Sequence, residues 1–204
     1  METIKSWNKF YDDKRRSQPL VWPDIEAVKL LSRALTRLPP PEECTALDLA
    51  CGEGRNTRLL LECGITPRCL DSSGHALDIL QQIYGIGQEK LICSEAEAYL
   101  VTLINESIDL ILCWGLSHYI DDFSMITSHI NRVLKRDGLL IASFSSTDDD
   151  RPRAAEPAKL YTEAEVLSLV KDHNFEIIEF GHSIRATLSQ SVTESFYYLL
   201  ACKR

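Results

Sequence analysis

The chain has 204 residues, 45% of them hydrophobic and 25% charged, which fits one soluble domain with a core that needs no staples. A formal charge of -8 and the lack of a long basic run argue against a duplex nucleic-acid partner, whose binding rests on phosphate neutralisation. No apolar stretch approaches bilayer length and the polar N-terminus lacks a signal-peptide core, so no membrane association is expected.

The first 22 residues carry Trp7, Phe10, Tyr11 and Trp22 among charges. This aromatic arm is either a helix packed on a sheet edge or a lid over a ligand crevice. Pro23-Asp24-Ile25-Glu26 then opens a helical pattern, with Ile25, Val28, Leu31 and Leu35 spaced for one buried face. Leu38-Pro39-Pro40-Pro41 stops it. From there short apolar runs alternate with helical stretches. Strands are expected at 45–50, 67–70, 90–93, 108–113 and 138–144, with little internal alternation, as in parallel strands covered on both faces. Helices are expected at 55–63, 73–84, 121–135 and 162–173. Cys63-Gly64 supplies one stop and Lys135-Arg136-Asp137-Gly138 another, with its basic last turn.

The tail differs. Phe175–Phe180 and Ser195–Lys203 read as strands flanking the polar stretch Gly181–Thr193, which suggests a wide-looped antiparallel hairpin. The pattern predicts an α/β fold: an open, doubly wound, mostly parallel sheet with one antiparallel strand and helices on both faces. It divides into an arm and helix (1–38), a ligand-binding core (39–145) and a C-terminal helix and hairpin (146–204), all within one domain.

Seven cysteines, an odd count with no Cys-x-x-Cys pair, argue against a zinc or redox motif and point to a reducing cytosol. Lys14-Arg15-Arg16 and Arg151-Pro152-Arg153 are short, have acids beside them, and read as solvated faces.

Function is most legible in Ala46-Leu47-Asp48-Leu49-Ala50-Cys51-Gly52-Glu53-Gly54, a buried strand running into a glycine loop, followed by an acid at the next strand's tip in Cys69-Leu70-Asp71. Glycines let a backbone approach a ligand closely, and a carboxylate about 20 residues on can grip a ribose. The dinucleotide fingerprint Gly-x-Gly-x-x-Gly is not met, because its third glycine is missing. Asp48 and Glu53 would also repel a pyrophosphate, which disfavours a nicotinamide oxidoreductase. The same acids favour a cationic nucleoside, and S-adenosylmethionine carries both a sulfonium and an ammonium.

Leu47-Asp48-Leu49-Ala50-Cys51-Gly52-Glu53-Gly54 resembles the first motif of class I S-adenosylmethionine-dependent methyltransferases, with Ala50 where a glycine is common. Leu70-Asp71-Ser72-Ser73 is similar to the family's ribose-binding acid, and Ser94-Glu95-Ala96-Glu97 to the segment whose acid meets the adenine amino group. Ile108-Asp109-Leu110-Ile111-Leu112-Cys113-Trp114 looks like the fourth strand, Leu116-Ser117-His118-Tyr119-Ile120 the turn after it, and Leu134-Lys135-Arg136-Asp137-Gly138 the turn before the fifth. The likeness spans roughly residues 40–145. It implies a Rossmann-like seven-stranded sheet whose last strand is inserted antiparallel beside the fifth.

It further implies a cofactor site at Asp48, Ala50, Gly52, Gly54, Asp71, Ser72, Glu95, Ala96 and Cys113. Trp7, Tyr11 and Arg16 would cover the methionine end, and no metal is implied. His118 is the leading candidate for contacting the acceptor or serving as base, with Tyr11 beside it. His182, Arg185 and Ser191 are further candidates for the acceptor pocket. No Asn/Asp-Pro-Pro-Tyr/Phe tetrapeptide follows the fourth strand, which points to a small-molecule methyl acceptor over a nucleobase or glutamine amide. The alternative is a catalytically silent cofactor-binding module acting through a protein partner.

Overall fold

The computed structural model describes residues 7–12, 22–149, 159–186 and 193–204. Seven strands form one sheet: β1 (Ala46–Leu49), β2 (Arg68–Asp71), β3 (Leu91–Cys93), β4 (Ile108–Cys113), β5 (Leu134–Ser145), β6 (Phe175–Ala186) and β7 (Thr193–Lys203). Their order is β3-β2-β1-β4-β5-β7-β6. The first five are mutually parallel, and β7 runs antiparallel to both β5 and β6. The expected α/β sheet, with its antiparallel strand beside the fifth, is the observed one.

Six α-helices accompany the strands among the described residues beyond Trp22: α1 (Ile25–Ala34), α2 (Thr57–Glu62), α3 (Gly74–Tyr84), α4 (Ala96–Leu100), α5 (Phe123–Val133) and α6 (Glu163–Asp172). Residue parity along the strands divides the core into two layers. Leu47, Leu49, Ile111, Leu140 and Ala142 pack with α4, α5 and α6, while Ala46, Leu110, Leu112, Leu139 and Ile141 pack with α1 and α2. Every residue of β1 and β4 is buried. With both faces covered, each reads as an apolar run with a single acid, Asp48 in β1 and Asp109 in β4.

α1 is rotated from its expected orientation. Its buried face is Ala27, Leu30, Leu31 and Ala34, whereas Ile25 is 67% exposed and Val28 42%. Two alanines let the helix approach the sheet closely, and its polar side is tied to β6. Lys29 and Arg33 pair with Glu179, and Glu26 accepts from the Ser183 hydroxyl at 2.9 Å. Asp24 caps the helix by accepting from the Glu26 amide.

The stop expected at Lys135–Gly138 is also displaced. α5 ends at Val133, and Leu134 already pairs with Ile108, so Lys135-Arg136-Asp137-Gly138 lies within β5. The left-handed backbone of Asp137 (φ 62°) accommodates a register shift between Ile108 and Leu110. Lys135 Nζ reaches both carboxylate oxygens of Asp109 there.

The tail hairpin is longer than expected: pairing continues to Ala186 opposite Thr193, absorbing most of the polar stretch into strand. Ser183 and Arg185 of this stretch bond to Glu26 and Asp24 at the start of α1, a polar strand end that hydropathy alone does not mark. All seven cysteines are free thiols. No described helix is long and apolar enough to cross a membrane.

Candidate functional site

The chain leaves β1 outward to β2 and β3, then returns across the sheet to β4. Ligands of open α/β sheets bind at the strands' carboxyl ends where the order reverses in this way. A cavity of about 370 Å³ opens there, within the size range of small-ligand sites.

Its floor on one side is the glycine loop. Ala50, Gly52 and Gly54 all have positive φ, at 62°, 56° and 89°. Ala50 therefore holds a conformation that costs an L-residue roughly 1–2 kcal/mol, and it is a less neutral replacement for glycine than its size suggests. A Cβ on Gly52 would lie 2.6 Å from the Tyr11 hydroxyl, so only glycine permits that approach. Gly54 faces elsewhere: its Cβ position is 2.8 Å from Leu80 Cδ1, so it serves α3 packing and does not line the cavity.

Asp71 closes the loop. Its carboxylate accepts from the Gly52 amide at 2.8 Å and the Ser73 amide at 2.9 Å, and it is 7% exposed. Burial raises its pKa, opposed by those amide bonds. Ser73 caps α3 in turn, accepting from Ala76. Asp48 lies deeper, accepting from the Thr57 hydroxyl at 2.5 Å; burial pushes it up to about 7 despite that bond. Both acids line the cavity, as expected. Both are buried and internally bonded, and Asp48 is partly protonated near neutrality.

Ser72, Ser94, Glu95 and Ala96 form the side of the cavity next to β2. Glu95 stands at the N-cap of α4 without bonding it through its side chain. Cys113, by contrast, is 1% exposed, packs in the core and does not line the cavity. Burial drives its thiol pKa upward.

Residues 7–12 are helical and lie across the cavity. Trp7 meets Tyr119 edge-on at 4.8 Å, Asn8 accepts from the Ser73 hydroxyl at 2.6 Å, and Asp12 pairs with His75 at 3.0 Å. The arm thus takes the lid position, spanning the glycine loop, the start of α3 and the turn after β4. Burial, then the charge of Asp71, raises the Tyr11 phenol well above its ordinary value. It stays protonated near neutrality, which removes it as a general base.

His118 sits in a short 3₁₀ turn, Ser117–Tyr119, fixed by Ser117 donating to the Ser143 carbonyl at 3.0 Å. The imidazole is 5% exposed, with Nδ1 3.1 Å from Ser145 Oγ, and it lines the cavity. The structure therefore brings together Trp7, Tyr11, Asp48, Ala50, Gly52, Asp71, Ser72, Glu95, Ala96 and His118. His182 stacks on Tyr197 instead, and Arg185 pairs with Asp24 at 2.8 Å; neither lines the cavity. Arg16 and Ser191 lie outside the described residues.

Several lining residues were not expected: Arg55, Trp114, Ser143, Ser145, Glu194 and Phe196. Arg55 is the one Arg or Lys among the described lining residues. Trp114 follows directly from the end of β4. Glu194 and Phe196 reach the site because β7 inserts beside β5, with Phe196 opposite Ser145.

Residues 47–142 match the family model described as "Methyltransferase domain". No curated protein matches the sequence. Among solved structures, the chain is similar to magnesium protoporphyrin IX methyltransferase from Synechocystis with bound SAM. Identity is 18% over 99% of this chain and 95% of that one, with a TM-score of 0.69. It is also similar to a SAM-dependent methyltransferase from Methanosarcina mazei, at 18% identity over 83% and 95% of the two chains and a TM-score of 0.67. TehB from Haemophilus influenzae is a third, at 17% identity over 97% of this chain and 67% of that one, with a TM-score of 0.68. At these identities the likeness is one of fold.

Proposed function

We propose that this chain, whose residues 47–142 match the methyltransferase-domain model, is an S-adenosylmethionine-dependent methyltransferase that methylates a small-molecule acceptor at the β1–β4 crevice. The observation that carries the reading is Asp71, an acid at the tip of β2 bonded to the Gly52 amide inside a cavity of about 370 Å³.

The residues present fit such a donor. Acids at Asp48, Glu53, Asp71 and Glu95 suit a cationic nucleoside, and Arg55 can meet its single carboxylate. The space a Cβ would fill on Gly52 is taken by the Tyr11 hydroxyl, 2.6 Å away, which seats the arm on the loop. When bound, the donor supplies an already activated methyl group on sulfur.

What remains for the chain is alignment and exclusion of water. Asp71 and the loop amides hold the nucleoside in register with the strand tips. Trp7 and Tyr11 cover the crevice, keeping the reacting atoms dry. The buried pair of His118 Nδ1 and Ser145 Oγ can take up a proton from an acceptor that must lose one. A nicotinamide cofactor fits poorly, because its pyrophosphate would meet Glu53 and Asp71.

Isothermal titration with S-adenosylhomocysteine tests the reading. Saturable binding that Asp71→Ala weakens supports it, and absence of binding to folded protein refutes it. The seven free thiols support a reducing, cytoplasmic setting.

A further inference from the structure

β6 is an outermost strand of the sheet, and among the described strands only β7 pairs with it. β3, at the opposite margin, covers only Leu91–Cys93, whereas β6 runs from Phe175 to Ala186. A long open edge presents a row of backbone donors and acceptors ready to pair with another chain. The register shift between Ile177 and Glu179 guards its first part. From Glu179 to Ala186 the pairing with β7 is unbroken and proline is absent, so this part has no such guard.

The side chains here divide by face. Glu179, Ser183 and Arg185 reach the α1 side, where Ser183 bonds Glu26. Glu179 meets Lys29 at 2.5 Å and Arg33 at 2.7 Å, while Arg185 meets Asp24 at 2.8 Å, Glu26 at 3.3 Å and Glu194 at 4.0 Å. Phe180 and His182 take the other face, both stacked on Tyr197, and strand alternation puts Ile184 beside them, 65% exposed. Two clusters of opposite sign thus flank His182. Around Glu179, two cations outnumber one carboxylate. Around Arg185, Asp24 and Glu26 outnumber one guanidinium even without Glu194.

A strand of this pattern fits a copy of itself. Antiparallel pairing of two β6 strands about a two-fold axis at His182 sets Glu179 opposite Arg185 of the copy, and Phe180 opposite Ile184. Directly opposite residues share a face, so the cation-rich cluster meets the acid-rich one twice and each Ile184 is covered by a phenyl ring. Moving the axis to Ser183 would set Arg185 opposite Gly181 and lose both matches.

We propose that the protein is a two-fold dimer joined edge to edge through β6, the sheet of one copy continuing into the next. No described β6 residue lines the cavity, and the inference is independent of the donor reading.

Sedimentation equilibrium of the full-length chain tests it. Dimers are expected at about 100 μM, where even a dissociation constant on the order of 10 μM leaves most chains paired. Ile184→Glu would bury a charge against Phe180 and should raise that constant about tenfold or more, with the far-ultraviolet circular dichroism of the native fold. His182→Cys gives a second reading. Under mild oxidation the two introduced thiols, facing each other across the axis, should link two chains in a product identified by peptide mass. Should Ile184→Glu misfold, that link alone decides. A monomer at about 100 μM overturns the inference. So does a dimer that folded Ile184→Glu leaves intact, or one whose introduced thiols stay unlinked, since it forms on another surface.

Discussion

Replacing Asp71 by alanine removes the acceptor for two buried amides, Gly52 N–H at 2.8 Å and Ser73 N–H at 2.9 Å. A hydrogen bond to a charged group contributes about 1.5–3 kcal/mol, so losing both would cost roughly 3–6 kcal/mol if nothing offset it. Something does. The carboxylate is 7% exposed and its desolvation already raises its pKa, so deleting it also relieves a buried charge. We expect a net destabilisation of about 2–3 kcal/mol, read as a lower urea midpoint at unchanged slope. Donor affinity should fall by about 1.5–3 kcal/mol in isothermal titration with S-adenosylhomocysteine. Asp71→Asn should lie between, because its carbonyl can accept one amide while its NH₂ confronts the other. A variant less stable yet undiminished in affinity would make Asp71 a brace for the loop and remove it from the ribose. No change in either quantity would refute the hydrogen-bond argument itself.

Asp48 yields a pH prediction. Burial lifts its carboxyl from the ordinary 3.8 to about 7, so the folded protein holds a proton that the unfolded chain has released. The stability carried by that proton is complete below 3.8 and is lost as pH rises to about 7. Asp48→Asn cannot titrate, and its urea midpoint should lack the wild-type decline across that window; parallel profiles would contradict the burial argument. A second variant probes the arm. Gly52→Ala places a methyl 2.6 Å from the Tyr11 hydroxyl at a φ of 56° and should weaken S-adenosylhomocysteine binding about tenfold or more, or roughly 1.4 kcal/mol. Most of that loss should vanish in a Tyr11→Ala background, a coupling that a double-mutant cycle measures. Additive losses would show that the arm does not rest on the loop.

What the sequence made legible is what depends on neighbours along the chain. β1 and β4 announce themselves as largely apolar runs, each with one acid, because both faces are covered, and the loop from Ala50 to Gly54 follows its strand directly. What it concealed depends on distant partners. The rotation of α1 is set by Glu179 and Ser183 of β6, so Ile25 and Val28, expected on its buried face, lie toward solvent. Glu194 and Phe196 enter the site through antiparallel pairing with β5, which nothing local encodes. Gly54 and Cys113 fit a motif by position, yet their surroundings show packing: Leu80 for the one, the buried core for the other.

The insertion of β7 between β5 and β6 has a kinetic corollary. Until Thr193–Lys203 arrives, β6 has no partner strand among the described elements, and β5 offers an open edge. The earlier strands can therefore assemble a nucleoside pocket before the wall bearing Glu194 and Phe196 exists. During synthesis the β1–β4 crevice would form first and its β7 wall last, as a late threading event that completes the ladder.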